Sequence, residues 1–122
     1  MKAAQRRAIA ALAACLTGMC AEGVLIDDDR NTPVELNVNS ADKGFEIRDK
    51  HSNVIITVEQ NLLKWVLYDQ RTARYIDLES CGNNFRGYDY ESAQYFTLNP
   101  LPDKIRIYDY ETDDYHYFHY QR

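Results

Sequence analysis

The side chains that could do chemistry in this sequence are spaced in a way that argues against catalysis. His116 and His119 lie three residues apart, so on a β-strand they point to opposite faces and cannot readily bind one metal ion. The sequence has no glycine-rich phosphate loop and no Ser-His-Asp or Cys-His arrangement in a recognisable motif. We therefore expect a non-enzymatic protein with no cofactor and no metal.

Aspartate is the residue whose spacing is most regular. Five aspartates stand twenty residues apart, and each is followed three residues later by Ser or Thr, which identifies a tandem repeat. They are Asp29, Asp49, Asp69, Asp89 and Asp109. Because an Asp carboxylate accepts hydrogen bonds from backbone N–H groups two or three residues on, we assign these residues to turns and not to acid–base chemistry.

Tyrosine is the best candidate for binding. The chain has ten tyrosines, all between positions 68 and 120. In the last three repeats, two positions seven residues apart on either side of the turn are both Tyr, giving the pairs Tyr68/Tyr75, Tyr88/Tyr95 and Tyr108/Tyr115. Cross-strand aromatic pairs stabilise a sheet by roughly 0.2–1 kcal/mol each, so this ladder can be purely structural. The same rings could also form a rigid platform for sugar rings or a protein partner.

The elements that must position these residues are β-hairpins. In twenty-residue units that start at Val24, Gly44, Lys64, Asn84 and Lys104, positions 2, 4, 13 and 15 are apolar, except for Asp27, Gly87 and His116. A spacing of two residues within each half is the strand period, and the Asp-x-x-Ser/Thr turn joins the two halves. This register places position 5 opposite position 12 and position 4 opposite position 13.

Short connections between the units predict an all-β fold. Five tandem hairpins would form a ten-stranded antiparallel up-and-down meander with one apolar face. Closure into a barrel would bury that face and remove the exposed edges, so we expect a closed barrel. A sandwich, a solenoid of stacked hairpins and a propeller-like assembly are the alternatives.

Two repeat families resemble parts of this pattern. The turn motif Tyr-Asp-x-x-Ser/Thr-x-x-Tyr is similar to the inner hairpins of kelch and WD-repeat propellers, which implies a propeller-like ring built from several chains. The period of twenty residues and the aromatic content are similar to choline-binding repeats of cell-wall proteins, although the glycines and the adjacent Trp-Tyr-Tyr run of that family are missing.

The N-terminus has the pattern of an export segment. Lys2, Arg6 and Arg7 precede a short apolar run that ends at Ala14 and is too short for a permanent membrane span. We therefore predict that residues 1–21 direct export and that residues 22–122 form a single domain. Because this segment cannot span a membrane, a covalently attached lipid would be the only way in which the domain is held at a membrane.

Two processing sites compete for this segment. Leu12-Ala13-Ala14-Cys15 resembles the lipobox of bacterial lipoproteins, which implies lipidation of Cys15 and a periplasmic, outer-membrane location. Cleavage near Cys20 would instead give a secreted soluble protein. If Cys15 carries lipid, an oxidising periplasm could pair Cys20 with Cys81.

Charge limits the partners. The formal net charge is −5, and loss of the three cations in residues 1–21 would take it to −8. Such a surface repels phosphate backbones, so we expect no nucleic-acid partner, whereas a cationic partner fits.

Three hypotheses for function follow from the sequence. The first is an envelope or secreted module that binds a glycan or a protein through the tyrosine ladder. The second is a small barrel that holds an apolar ligand, and the third is a structural subunit of an assembly; the oligomeric state is left open.

Overall fold

The structure is a computed structural model that describes residues 1–18, 24–41, 44–50, 52–62 and 64–121. This part of the chain contains one helix, α1 (Ala3–Leu16), followed by eleven strands of one antiparallel sheet. The strands are β1 (Val24–Asp27), β2 (Thr32–Pro33), β3 (Leu36–Ala41), β4 (Gly44–Asp49), β5 (Ile55–Asn61), β6 (Lys64–Asp69), β7 (Arg74–Cys81), β8 (Asn84–Asp89), β9 (Gln94–Pro100), β10 (Lys104–Asp109) and β11 (Asp114–Gln121).

The sheet follows the order of the chain, which confirms the all-β up-and-down meander. From β3 to β11 every strand pairs with its neighbours in sequence, and β1 then pairs with β11. The second to fifth repeats are the hairpins β4/β5, β6/β7, β8/β9 and β10/β11, all turning at the same end of the sheet.

The predicted register is confirmed in these four hairpins. Position 5 lies opposite position 12 and position 4 opposite position 13, as in the partners Leu67↔Ile76 and Ile107↔His116. The apolar columns face inward and are largely buried; Leu67 and Ile76 are fully buried. Gly87 occupies the same column, and the ring of Phe96 fills the space that a side chain would take there. A Cβ at this position would lie 2.2 Å from the Cζ atom of Phe96.

The first repeat departs from the prediction. Its turn is the same kind of four-residue loop but begins at Asp27 instead of Asp29, so Asp27 pairs with Thr32 and not with Leu36. Leu36 pairs with Asp49 of β4 instead. Asp29 carries the Asp-x-x-Thr motif, but Asp27, two residues earlier and followed by Arg30 at the third position, is the residue that begins the turn.

The prediction of a closed barrel is wrong. A ten-stranded barrel would need residues 32–41 to pair along their whole length with β1 on one side and β4 on the other. Instead the segment divides: β2 pairs with β1, β3 pairs with β4, and the sheet ends in these two strands. Pro33 lacks a backbone N–H, which shortens the β1/β2 ladder. Val34 and Glu35 alone connect β2 to β3, so the chain brings the two ends of this open sheet within roughly 11 Å of each other.

The curled sheet buries its apolar face against α1. The helix contacts β4, next to one edge strand of the sheet, and also β9 and β10 in the other half, so the sheet curls around it. Ile9 and Leu12 of the helix belong to the same core as Trp65 and Phe85, whose rings pack edge to face at 5.8 Å. The sequence prediction gave this segment no part in the core; its removal on export stays a prediction.

The amino-terminal turn of α1 lies at the end of the sheet where the hairpins turn. Five aspartates, one from each repeat, are buried there at 1–3 % exposure: Asp27, Asp49, Asp69, Asp89 and Asp109. Arg7 donates to Asp49 from Nε at 2.9 Å and from Nη2 at 2.7 Å. In the described part of the chain, no helix has the length and hydrophobicity that a membrane span requires.

Candidate functional site

The three predicted tyrosine pairs form on the outer face of the sheet. Each pair is directly cross-strand in the hairpins β6/β7, β8/β9 and β10/β11. The ring centroids are 4.9 Å apart in Tyr68/Tyr75 and 4.8 Å apart in both Tyr88/Tyr95 and Tyr108/Tyr115. The rings meet at tilted or edge-on angles, an arrangement that aromatic pairs prefer.

Strand alternation explains why the tyrosines face outward. Each first tyrosine precedes a buried aspartate by one residue, and successive side chains of a strand point to opposite faces. The second tyrosine of each pair is the more accessible: Tyr95 is 65 % exposed, Tyr75 52 % and Tyr115 44 %. These rings leave their flat faces and hydroxyls available to a partner.

Three further tyrosines extend the ladder, and the sequence analysis missed them. Tyr90 packs on Tyr88 and Tyr110 packs on Tyr108, both at 4.8 Å, and Tyr117 lies 6.1 Å from Tyr115. Tyr90 and Tyr110 sit in the turns, where a strand period is not normally applied. Spacing of two from Tyr88 and Tyr108 was the signal that placed them on the same face. We call the outer-face tyrosines the tyrosine surface; they are Tyr68, Tyr75, Tyr88, Tyr90, Tyr95, Tyr108, Tyr110, Tyr115 and Tyr117.

Cations lie over part of the tyrosine surface. Nζ of Lys104 lies 5.4 Å from the ring centroid of Tyr117, and the guanidinium carbon of Arg106 lies 5.1 Å from that of Tyr115. Exposed contacts of this kind stabilise by about 0.5–1 kcal/mol. They hold the rings of β11 in place without covering those of β6 to β9.

A groove of about 690 Å³ runs across β6, β7, β8 and β9 at the centre of this surface. Its aromatic wall is Tyr88, Tyr90 and Tyr95. Its charged side chains form two ion pairs: Lys64 with Asp77 at 3.4 Å and Arg86 with Glu79 at 4.0 Å. Exposed pairs of this type contribute only about 0–1 kcal/mol, so a ligand can replace them at little cost.

Hydrogen bonds to aspartates raise the pKa of two of the phenols. The hydroxyl of Tyr90 donates to Asp77 Oδ2 at 3.0 Å, and this bond to a carboxylate raises the pKa of Tyr90. Tyr108 donates to Asp113, which raises the pKa of Tyr108 from 10.0 to about 12. Both O–H groups are therefore engaged by aspartates, and the phenol oxygens remain as hydrogen-bond acceptors.

His116 and His119 each contact an aspartate of the first repeat. His116 is buried, and its ring nitrogens contact Asp29 and Thr112 Oγ1, the latter at 2.9 Å. His119 points to the other face and contacts Asp28. Both contacts to aspartate join β11 to the turn of the first repeat. Asp29 lies within this turn, is exposed, and is not one of the five buried aspartates.

The two cysteines in the described part of the chain are both exposed. Cys15 is exposed near the carboxyl end of α1, and Cys81 is exposed at the end of β7. Cys20 and the alternative cleavage position beside it lie outside the described residues, so the pairing of Cys20 with Cys81 stays a prediction. Lipidation of Cys15 also stays a prediction.

The function of this chain is inferred from its fold and from the groove. No protein-family model matches it, and neither the curated proteins nor the solved structures contain a match.

Proposed function

We propose that this protein is a non-catalytic binding module that recognises a glycan or a protein partner through its tyrosine surface. The observation that carries this proposal is the groove on the outer face, where three tyrosines stand beside two weak ion pairs. A rigid aromatic wall with convergent polar groups is the usual composition of a ligand site.

A glycan suits this groove better than a protein does. The side chains of Tyr90 and Tyr95 are 49 % and 65 % exposed, and their rings can pack against the apolar faces of sugar rings. Lys64, Asp77 and Glu79 supply donors and acceptors for sugar hydroxyls at the same place. The volume of about 690 Å³ suits a few sugar units.

The alternative of an apolar ligand inside the sheet receives less support. The aromatic side chains that would line such a cavity, including Trp65, Phe85 and Phe96, belong to the same core as α1. In the full chain, the helix occupies the interior space that an apolar ligand would need.

The cell envelope is the proposed location. This proposal rests on the lipobox-like residues Leu12 to Cys15 and on the cationic residues before them. Metabolic labelling of expressing bacteria with an acyl chain should mark the wild-type protein and leave Cys15→Ser unmarked. Equal labelling of both would contradict lipidation at this cysteine.

Titration of the full chain with soluble oligosaccharides from envelope polysaccharides tests the binding function. We expect saturable shifts of the tyrosine ring signals in NMR spectra, and Tyr95→Ser should weaken binding at least tenfold because one stacking face is lost.

Tyr90 and Tyr110 provide a matched control for this titration. They occupy the same position of adjacent repeats and are 49 % and 50 % exposed, but Tyr90 lines the groove and Tyr110 does not. Tyr90→Ser should therefore weaken binding more than Tyr110→Ser. Equal losses, or no shift with any saccharide, would speak against the groove as a glycan site.

A further inference from the structure

The interior of the curled sheet is a second recognition surface, separate from the tyrosine surface. It holds α1, whose fourteen residues span about 21 Å, close to the roughly 20 Å length of a six-residue strand. The helix therefore runs from the end where the hairpins turn to the opposite end of the sheet.

Each repeat contributes one carboxylate oxygen to this surface. The Oδ1 atoms of Asp69, Asp89 and Asp109 accept the backbone N–H two residues on, at 2.9–3.1 Å, and so fix the turns. The Oδ2 atoms of Asp69 and Asp109 are left for the interior, whereas Oδ2 of Asp89 also accepts from Ser92 Oγ at 2.9 Å. Asp69 Oδ2 accepts from Gln5 Nε2 at 2.8 Å, and Asp109 Oδ2 lies 2.9 Å from the amino group of Met1.

Buried carboxylates make this end of the sheet selective for positive charge. Removing an ion of this size from water costs several kcal/mol unless a partner of opposite charge is present. Arg7 supplies that charge to Asp49, and Arg6 Nη1 lies 3.4 Å from Asp109 Oδ2. The positive end of the helix dipole adds to the attraction.

The acidic end of the sheet is not fully matched by α1. Nη1 of Arg7 is buried and makes no hydrogen bond to any described residue; it lies 3.8 Å from Asp27 Oδ2. The amino group of Met1 is likewise 3.8 Å from Asp89 Oδ2. Asp89 Oδ2 already accepts from Ser92 Oγ at 2.9 Å, so Asp27 is the carboxylate that has room for a closer cationic partner than this helix gives it.

The body of α1 fits the sheet by generic packing. Its buried apolar residues are Ile9, Leu12 and four alanines, namely Ala8, Ala10, Ala13 and Ala14. A helix with mostly alanine toward the sheet presents little shape that another helix could not reproduce. The specific contacts are concentrated in its first turns, at Gln5, Arg6 and Arg7.

We propose that the interior of the curled sheet is a receptor for a short helix with a cationic amino-terminal turn and a small, aliphatic body. The resident ligand is α1, and a helix of the same chemistry from a partner protein takes its place. Displacement would carry the export-like segment and Cys15 out of the sheet. This inference does not depend on the tyrosine surface.

The test uses the full chain with a protease cleavage sequence inserted between Thr17 and Gly18, so that α1 can leave after cutting. The cut protein is challenged with a fluorescent peptide of residues 1–16, and exchange is followed by fluorescence anisotropy and by circular dichroism of the sheet. We expect the peptide to replace α1 while the strand signal is retained. A cut protein that keeps α1 against a large excess of peptide would overturn the proposal.

Three variant peptides separate charge recognition from non-specific hydrophobic uptake. Arg7→Glu should bind about 100-fold more weakly because a buried ion pair is replaced by repulsion, whereas Lys2→Glu, at an exposed position, should bind within about tenfold of the parent. A third peptide keeps Gln5, Arg6 and Arg7 but has a shuffled Ala/Ile/Leu body, and should also bind within about tenfold. Equal binding of Arg7→Glu, or failure of the shuffled peptide, would contradict recognition of a general cationic helix.

Discussion

The two carboxylate oxygens of a buried aspartate can make two different kinds of contact. One oxygen caps a turn, and the other receives a group from α1, as Asp69 does with Arg71 N and Gln5 Nε2. The turn contact could be predicted from the sequence because the Asp-x-x-Ser/Thr spacing is local. The contact with α1 could not, since nothing local relates residues 5 and 69.

The ion pair between Arg7 and Asp49 should be the most costly side-chain contact to break. Both residues are at most 4 % exposed, so Arg7→Ala removes the cation that faces a buried carboxylate. We expect the free energy of unfolding to fall by about 3–5 kcal/mol in chemical denaturation.

Arg48 is the control for this substitution. It pairs with Glu46 at 3.7 Å, and its side chain is 51 % exposed. Arg48→Ala should cost at most about 1 kcal/mol. A similar loss from the two substitutions would show that Arg7 is not buried against Asp49.

The phenol of Tyr108 should titrate unusually high. Its hydrogen bond to Asp113 raises the folded-state pKa above 10.0, so the folded protein holds the proton longer than the unfolded chain. Stability from this bond is complete below pH 10 and is lost as the pH rises toward about 12.

NMR titration of the tyrosine ring carbons measures this pKa directly. Asp113→Asn should bring the pKa of Tyr108 back toward 10.0 and remove the associated fall in stability above pH 10. A pKa that is the same in the wild type and the variant would show that Asp113 does not hold the phenol.

At the scale of the element, turns of the same kind occur in all five repeats. In each repeat the fourth residue after the buried aspartate has a positive φ, and these residues are Asn31, Asn53, Ala73, Ala93 and Asp113. In the repeats of Asp49, Asp69 and Asp109 its N–H donates to the aspartate carbonyl, at 2.8–3.0 Å. This loop fixes the register that pairs the tyrosines.

Leu62 and Gly82 test the connections between hairpins. They occupy the same position of adjacent repeats and have φ values of 58° and 66°, a region that glycine adopts freely and leucine adopts only with strain. Leu62→Gly should raise the free energy of unfolding by about 1 kcal/mol, and Gly82→Leu should lower it by about as much.

Thermal denaturation of the two variants gives the comparison. Leu62 is 87 % exposed, and a Cβ at Gly82 meets nothing within 4 Å, so packing contributes little at either position. Changes of the same sign would contradict the shared turn geometry.

Hairpins, register and the outward tyrosine pairs could all be predicted from the sequence because each depends on residues within one repeat. The first repeat could not, since the choice between Asp27 and Asp29 depends on contacts with β11, where His116 takes Asp29 as its partner. Tyr90 and Tyr110 were missed because they lie in turns. Barrel closure failed as a prediction because it depends on how residues 32–41 divide between β1 and β4.

At the scale of the whole molecule, the helix replaces barrel closure as the means of burying the apolar face. Its composition is that of an export segment, with cations before an Ala-rich run, and the same composition matches an acidic opening above an apolar interior. Sequence patterns alone do not separate these two uses. The position of α1 inside the sheet is therefore the central claim about this fold.

Hydrogen–deuterium exchange of the full chain, read by mass spectrometry on peptides that cover α1, tests that claim most directly. With α1 enclosed, the amides of its buried segment from Ile9 to Ala13 should exchange as slowly as those of β8 and β10. Exchange of these amides within seconds, while the strands stay protected, would show that the helix lies outside the sheet and would contradict the account.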